Sequence, residues 1–506
     1  MLNDKIEILD TTLRDGEQTS GVSFMSSEKL HIARLLLEDL NVDRVEITSV
    51  GVSGGELNTV KKIAEWASAN NYIDKIEVLG FVDGGNSVDW IKSTGCKVIN
   101  LLCKGSLKHC EEQLKKTPEQ HLADIKCVIQ KAEEANISVN VYLEDWSNGM
   151  LHSPDYVFFM MDNLKDTSIN RFMLPDTLGV LNPLNTAEFC KIMLDKYPQT
   201  KFDYHAHNDY DLAVGNVFAA VKTGIKGIHT TINGLGERAG NAPLASVIAV
   251  IHDQLKIKTN INEDKLNKVS RLVESYSGIR VPNNKPLIGD SVFTQCAGIH
   301  ADGDNKNNLY YNDLLPERFG REREYALGKM SGKANIKKNL DALGLDLDEP
   351  SMAKLTKRIT ELGEKKEIVT PDDLPYIIYD VFHSDAESKI KILNYSLSLA
   401  KGSRPMAKVK ILIDNKEYEQ QAFGDGQFHA FSKALWKIYD NLGKDKPELI
   451  DYNVAIPSGG RTDALVQTII TWSFDKVVFR TRGLDVDQTK AAIKATIRML
   501  NIIENM

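Results

Sequence analysis

The size, composition and charge of the chain exclude several classes of protein. It has 506 residues, of which 42% are hydrophobic and 26% are charged, and this balance is typical of a soluble globular protein with about two to four domains. Its 62 Lys and Arg are outnumbered by 70 Asp and Glu, for a formal net charge of -8, so we expect no nucleic-acid partner. It shows no signal-peptide pattern and no apolar run long enough for a membrane helix, which predicts a cytoplasmic protein without a membrane partner.

The first half of the chain alternates short β-branched runs with helical patterns. Eight such repeats predict an α/β fold, a closed TIM (β/α)8 barrel over residues 1–260, with an open doubly wound sheet as the alternative. The predicted strands are 6–10, 42–48, 75–81, 97–103, 138–144, 171–176, 201–208 and 227–234.

The pattern changes twice after the barrel. Residues 261–390 are helical with polar connections, which predicts helical linker subdomains. Residues 391–506 contain a hairpin pattern in AKVKILIDNKEYEQQAFGDG, a helix at 427–442, strands near YNVAIP and VQTIITW, and a final helix from Asp487. This order predicts a separate C-terminal α+β domain, which we interpret as a regulatory or dimerising module.

Polar side chains collect at one end of the predicted strands, in the order Asp10, Glu46, Glu144, Asp176, His205, His207 and Asn208. This is the C-terminal face of the barrel, where TIM-barrel enzymes place their active sites. Charges inside a packed barrel are costly without partners, so the one-ended distribution indicates a functional site.

Two stretches at that face could bind a divalent metal. In HAHND, His205 and His207 lie two residues apart on a strand and point to the same side, although a pair of core histidines is the simpler alternative. In LDTTLRDGEQ, Asp15 offers a carboxylate for a metal, and its neighbour Arg14 offers a guanidinium for an oxyanion. Asp15 could instead merely cap a turn.

A third stretch, NGLGERAGN, follows the last barrel strand. Its glycines permit tight turns, so Asn241 and the nearby amides could approach a ligand closely. A glycine-rich loop alone is weak evidence. Because all three stretches fall at the same end of one barrel, together they favour a site.

These stretches carry a family resemblance. LDTTLRDGEQTSGVSF, HAHNDYDLAVGN, NGLGERAGN, AGIHADGDNKNNLYYNDLLPERFGR and SGGRTDALVQTIITW closely resemble the 2-isopropylmalate, homocitrate and citramalate synthases, in the same order and over nearly the whole chain. The resemblance implies a metal-dependent enzyme, with Mn²⁺, Zn²⁺ or Mg²⁺, that uses acetyl-CoA as co-substrate and forms a homodimer. The implied metal ligands are Asp15, His205, His207 and Asn241.

The resemblance also implies the other roles at the site. Arg14 would steady the negative charge that develops on the keto or enolate oxygen, Glu144 would be an acid/base residue, and Thr177 would contact the substrate carboxylate. His300 would be a catalytic histidine delivered from the partner chain. A base removes a proton from the acetyl methyl group, the enolate attacks the keto carbon, and water hydrolyses the thioester. The sequence leaves His300, Glu144 or a bound water as the base.

The keto acid is predicted from three residues at positions that match the family's substrate pocket. Leu79, Leu102 and Tyr142 are bulky and uncharged. They offer no cation for the distal carboxylate of 2-oxoglutarate and crowd the isopropyl group of 2-oxoisovalerate, so pyruvate is the expected substrate. If these residues are ordinary barrel packing, 2-oxoisovalerate returns as the alternative.

The remaining predictions concern acetyl-CoA and regulation. Asp302, Asn308, Leu309 and Tyr310 resemble the residues that shape the acetyl-CoA side. The C-terminal domain would bind an end product, isoleucine on the pyruvate branch or leucine on the other. Phe428 and His429 stand where isoleucine-sensitive members have Tyr and Asp, which leaves the effector open. A related metal-dependent lyase is a further alternative that would not need the C-terminal domain, and a non-catalytic amino-acid sensor would not need the barrel ligands.

Overall fold

The first eight strands form one closed barrel of parallel strands in chain order. The computed structural model describes residues 5–51, 54–304, 306–364, 369, 371, 374, 377–378, 381, 389–455, 466–475, 477–485 and 487–504. The barrel strands are β1 Glu7–Asp10, β2 Arg44–Ser49, β3 Ile76–Phe81, β4 Val98–Lys104, β5 Ser138–Glu144, β6 Ile169–Asp176, β7 Phe202–Ala206 and β8 Gly227–Thr230. The predicted TIM barrel is confirmed.

The last two barrel strands end earlier than predicted. Beyond β7, His207 forms a single bridge with Asn241, and beyond β8, Thr231 forms one with Pro243. Between Thr231 and Asn241 the chain leaves the direction of β8, because Asn233 adopts a left-handed φ of 61°, which a strand does not tolerate. The returning segment therefore pairs with the rim and brings Asn241 beside the histidines.

Helices surround the barrel and continue beyond it. They are α1 Ser26–Arg34, α2 Gly54–Ala69, α3 Asn86–Thr94, α4 Pro118–Glu134, α5 Trp146–His152, α6 Pro154–Leu164, α7 Pro183–Lys196, α8 Ala213–Thr223, α9 Leu244–Asp253, α10 Leu266–Ser277, α11 Gly298–Asp304, α12 Lys333–Ala342 and α13 Glu349–Glu364. Local sequence sets the start of α4: Thr117 accepts a hydrogen bond from the Gln120 backbone ahead of Pro118, a capping box that satisfies free N–H groups. In the described part of the chain, no helix is long and apolar enough to cross a bilayer.

The chain divides into two compact units, Met1–Leu345 and Asp346–Met506. The first contains the barrel and the segments after it, including a two-stranded sheet of β9 Thr294–Gln295 and β10 Glu324–Tyr325. The three-domain division at residues 260 and 390 stays a prediction.

The second unit contains two three-stranded antiparallel sheets, each followed by a helix. They comprise β11 Ile390–Ser398, β12 Met406–Ile413, β13 Lys416–Phe423 and α14 Gln427–Leu442, then β14 Glu448–Ala455, β15 Val466–Phe474, β16 Val477–Asp485 and α15 Gln488–Ile503. The predicted hairpin is β12 and β13. The sequence missed β11 and β16, and the end of the predicted YNVAIP strand lies outside the described residues.

The barrel interior is more polar than the sequence suggested. Below the rim, the buried Arg44 donates to Glu77 at 3.0 Å and to Asp203 at 2.5 Å. Arg171 donates to Asp203 at 3.1 Å. Burial raises the pKa of Asp203, but these guanidinium groups and His229 lower it overall, below its usual range. The interior charges are thus paired, as burial in a low dielectric requires.

Gly227, the first residue of β8, leaves room for this ion network. A Cβ there would lie 1.8 Å from Asp203 Oδ1. We expect Gly227→Ala to lower the free energy of unfolding by about 2 to 4 kcal/mol, because the carboxylate would have to leave its cationic partners. Gly215→Ala in α8 is the control, since its Cβ would make only a 3.4 Å contact with Pro183 and alanine favours the helix. Urea unfolding of both variants tests this; equal stabilities would contradict it.

Candidate active site

The rim of the barrel brings three potential metal ligands together. Asp15, His205 and His207 each offer a ligand atom, and these atoms all lie within 4.8 Å of one another. His205 comes from β7, His207 follows that strand directly, and Asp15 lies on the turn after β1. The side chains converge on one point, as the metal hypothesis requires.

The polar atoms of this group are short of partners. The Asp15 carboxylate is buried, and among the described residues neither of its oxygens has a hydrogen-bond partner of acceptable geometry, although His205 Nε2 lies 3.1 Å from Oδ2. Buried polar atoms are normally satisfied, so these oxygens are available to bind a group that the protein itself does not supply. A divalent cation fits this donor set of one carboxylate and two imidazoles.

Charge at the site favours cation binding. Burial alone would raise the pKa of Asp15, but Arg14, His205 and His207 lower it overall, so the carboxylate is ionised. Burial lowers the pKa of His207 to about 4, so its imidazole is neutral near pH 7. An ionised carboxylate and a neutral imidazole are the forms that bind metals.

Asn241 lies beside the same group, because it forms a backbone bridge with His207. Its Nδ2 donates to the backbone oxygen of Leu235 at 3.1 Å, whereas its buried Oδ1 finds no hydrogen-bond partner in the part of the chain that the structure describes. Gly236, with φ of 155°, permits this placement, because a Cβ there would lie 2.3 Å from Asn241 Nδ2. The amide oxygen is thereby the free end of the side chain.

Arg14 lies beside the metal-binding group. Its Nη1 is 3.6 Å from Asp15 Oδ2, its Nε donates to Glu46 at 2.5 Å, and its Nη2 donates to the Tyr142 hydroxyl at 3.3 Å. Burial opposes the charge, but Glu46 and Asp15 raise the pKa of Arg14 above its usual value. A permanent positive charge therefore lies next to the metal position.

Glu144 and Thr177 lie at the ends of neighbouring strands on the same rim. Glu144 ends β5 and forms an ion pair with Lys104, the last residue of β4. Thr177 follows β6, and its hydroxyl oxygen accepts from the Asp145 backbone at 2.9 Å. The Thr177 hydroxyl proton stays available to donate to an anion. Both positions suit contact with a substrate held above the barrel.

The three predicted pocket residues pack in one cluster. Leu79 and Tyr142 are buried with Leu9 and Met173, and Leu102 packs against them. The Tyr142 ring also meets the His205 ring edge to face, with centroids 6.2 Å apart. The cluster therefore forms an apolar wall next to the metal-binding group.

The predicted residues beyond the barrel lie in a separate segment. His300 is on α11 with its ring centroid 4.3 Å from that of Tyr310, and Asp302 pairs with Lys306 at 2.6 Å. Asn308 and Leu309 are exposed. Within the described residues, no hydrogen bond, ion pair or ring contact joins these residues to the barrel rim, and their roles stay predictions.

Two strand-end carboxylates of the predicted rim have structural contacts. Asp10 accepts from the Thr12 backbone at 2.9 Å, and burial raises its pKa to about 7. Asp176 accepts from the backbones of Val180 and Leu181. Both carboxylates therefore brace rim loops.

Sequence reasoning missed residues that support the site. It named Glu46 only among the polar strand ends, and it did not single out Lys104 or His229. Lys104 could have been found as the last residue of β4, directly before the glycine of LLCKG. No local signal marks His229, because its partners Tyr142 and Asp203 come from distant strands.

The second unit contains an aromatic cavity of about 470 Å³ at the predicted effector position. Its lining consists of Phe428, His429, Ser432, Trp436, Pro447, Leu449, Tyr452 and Trp472. His429 Nδ1 lies 3.3 Å from Asp425, which also pairs with Arg404. A small ligand with an apolar body would fit this lining.

Comparison with known protein families finds matches along most of the chain. It matches three families in succession: HMGL-like over residues 5–273, homocitrate synthase post-HMGL domain-like over residues 287–367, and the LeuA allosteric (dimerisation) domain over residues 368–504. Among solved structures, the chain is similar to the HMG-CoA lyase of Bacillus subtilis, with 21% identity and a TM-score of 0.46, over 55% of this chain and 96% of that chain.

Two curated relatives match this chain over nearly the whole length of both proteins. The chain is 31% identical to the (R)-citramalate synthase of Methanocaldococcus jannaschii, over 99% of this chain and 100% of that protein. It is 33% identical to the 2-isopropylmalate synthase of the same organism, over 99% of this chain and 95% of that protein. The chain therefore belongs to the family of metal-dependent synthases, citramalate and 2-isopropylmalate synthases among them, that condense acetyl-CoA with a 2-keto acid.

Proposed function

We propose that the protein condenses acetyl-CoA with pyruvate and hydrolyses the thioester, to give (R)-citramalate and CoA. The observation that carries this choice is the wall of Leu79, Leu102 and Tyr142 beside the metal-binding group. A methyl group can lie against three large uncharged side chains, whereas extra carbons would have to displace them, at about 1 to 3 kcal/mol.

The chain's own residues supply the remaining requirements of the reaction. Asp15, His205, His207 and Asn241 would hold a divalent cation, which supplies Lewis-acid polarisation of the keto group when bound. Arg14 offers a fixed positive charge to a developing oxyanion. Thr177 would donate to the pyruvate carboxylate.

We propose that Glu144 and His300 carry out the proton transfers. Glu144, held by Lys104 at the rim, would exchange protons with the reacting groups, since a carboxylate at a partly exposed rim can return protons to water. His300 of the partner subunit would complete the site. Delivery from a second copy would not require His300 to contact the rim of its own chain.

Regulation would come from the C-terminal unit. Its match to an allosteric dimerisation domain supports a homodimer with an end-product effector. We propose that the cavity lined by Phe428 and Tyr452 takes that effector, isoleucine if pyruvate is the substrate and leucine if 2-oxoisovalerate is.

The substrate assignment is tested by CoA release from acetyl-CoA with pyruvate, 2-oxoisovalerate or 2-oxoglutarate, each with and without a divalent metal. We expect kcat/KM for pyruvate to exceed that for 2-oxoisovalerate by about 10-fold or more, with no turnover after metal removal. A preference for 2-oxoisovalerate would instead support the 2-isopropylmalate reaction, which one relative's name favours.

A pair of neighbouring leucines sharpens the test. Leu102→Ala should raise kcat/KM for 2-oxoisovalerate relative to pyruvate, because Leu102 packs on the inner wall. Leu101→Ala is the matched control, since Leu101 belongs to the main core outside that wall. The control should lower stability by about 2 to 5 kcal/mol without changing the substrate ratio. The wall would have no part in selection if both variants kept the wild-type ratio.

A further inference from the structure

We propose that Tyr142 and His229 act as positioning residues that hold Arg14 in place for the condensation. This inference rests on the proposed function, because it concerns the residue that would stabilise the developing oxyanion. Tyr142 would then have two roles: its ring limits the size of the keto acid, and its hydroxyl holds the guanidinium of Arg14.

The guanidinium of Arg14 is held at two edges. Glu46 accepts from Nε at 2.5 Å, and the Tyr142 hydroxyl oxygen lies 3.3 Å from Nη2. The Arg14 side chain also lies over the Tyr142 ring, with Cζ 5.6 Å from the centroid. Because Arg14 itself is on the turn after β1, these contacts tie a loop residue to strands β2 and β5.

The direction of the tyrosine hydrogen bond follows from His229. His229 Nε2 is 3.2 Å from Asp203 Oδ2, and its Nδ1 is 3.1 Å from the Tyr142 hydroxyl. A carboxylate only accepts, so Nε2 bears the proton that faces Asp203. His229 is buried, which disfavours the charged imidazole. Among the described residues, only a neutral His229 can accept the Tyr142 hydroxyl proton, because Arg14 can only donate.

A neutral imidazole that donates through Nε2 can only accept at Nδ1. The Tyr142 hydroxyl must therefore donate to His229, which leaves its oxygen lone pairs facing Arg14. The Tyr142 oxygen thus accepts from Arg14 and has no proton to offer a substrate. In this arrangement His229 fixes Tyr142, and Tyr142 fixes Arg14.

These contacts belong to a closed circuit of hydrogen bonds across the barrel. From Asp203, the hydrogen bonds run through Arg44, Glu77 and Asn100 to Glu46, which in turn accepts from Arg14. The complete circuit consists of eight side chains, Arg14, Glu46, Asn100, Glu77, Arg44, Asp203, His229 and Tyr142. The barrel strands thereby determine where the Arg14 charge lies, and misplacing such a group by about 1 Å costs about 100-fold in rate.

The test is a double-variant cycle measured as kcat and KM for the keto acid that wild-type enzyme uses best. Tyr142→Phe keeps the ring and removes the hydroxyl, and His229→Leu removes the acceptor. We expect each to lower kcat about 10- to 100-fold with KM for the keto acid within about threefold. The double variant should be no more than about threefold slower than the slower single variant, because both changes break the same chain of contacts.

Two further variants make the result specific. His229→Asn retains an acceptor near the Nδ1 position and should recover at least a few-fold of kcat relative to His229→Leu. Tyr204→Phe is the matched control, because that buried tyrosine lies on β7 and pairs with Thr186 at 3.3 Å outside the circuit; its kcat should equal the wild-type value. If His229→Leu does not fold, Tyr142→Phe and His229→Asn still form a double-variant cycle.

Three outcomes would overturn the inference: full activity in Tyr142→Phe, multiplicative losses in the double variant, or a change confined to KM. Failure of the proposed function is a different result, since it appears in wild-type enzyme as a preference for another keto acid. The cycle is then run with that keto acid, and its outcome still decides the role of Tyr142 and His229.

Discussion

Replacing Asp15 by Asn is expected to lower kcat/KM by about 1,000-fold or more and to remove tight binding of Mn²⁺. Asp15 is the anionic member of the group whose ligand atoms lie within 4.8 Å of one another. An amide has the same shape but no charge, and the transition-state charge that a bound cation offsets is worth several kcal/mol, which corresponds to about three powers of ten. Calorimetric titration with Mn²⁺ provides a readout independent of turnover.

Asp10→Asn is the matched control for this variant. Asp10 is also a buried carboxylate near the same rim, but its Oδ1 accepts from the Thr12 backbone, and an amide oxygen can do the same. We therefore expect near wild-type Mn²⁺ affinity for Asp10→Asn, with circular dichroism unchanged in both variants. Full Mn²⁺ affinity in Asp15→Asn would remove this residue from the proposed ligands.

The sequence predicted those features of the protein that depend on a pattern of neighbouring residues. Eight strand patterns fixed the barrel, and polar residues at their C-terminal ends had to meet at one rim, since parallel strands share a direction. This is why Asp15, which follows β1, and His205, in β7, could be placed together without knowing any contact. Leu79, Leu102 and Tyr142 were predicted from positions that match the family's substrate pocket, and the structure has them on three adjacent strands.

The buried polar circuit could not be predicted in the same way. Arg44 and Asp203 are 159 positions apart, and only the register of the closed barrel brings them together. Interior charges are costly without partners, which is why we expected them at the rim, whereas pairing deep in the barrel removes most of that cost. Two C-terminal strands, β11 and β16, were also missed, although their antiparallel pairing with β12 and β15 is regular.

The second large effect is expected at Arg14. Arg14→Met should lower kcat by about 100- to 1,000-fold, which is the usual effect of removing one group that stabilises an oxyanion. It should also lower the free energy of unfolding by about 3 to 5 kcal/mol, because the buried Glu46 carboxylate loses its charged partner. Activity and stability would thus fall together, and the activity loss alone would not identify the role of the charge.

The double variant Arg14→Met with Glu46→Gln separates the two effects. A neutral Gln at position 46 can still accept from Asn100, which lies 2.7 Å from the Glu46 carboxylate, so most of the lost stability should return while kcat stays low. Burial already raises the pKa of Glu46, and a carboxyl group with a raised folded-state pKa loses stability as pH rises. The stability deficit of the single variant should therefore widen as pH rises above the folded-state pKa of Glu46 in the wild type, which already lies above its usual value, and that of the double variant should not. Thermal unfolding at several pH values measures this, and recovery of kcat together with stability would show that the Arg14 charge serves only the fold.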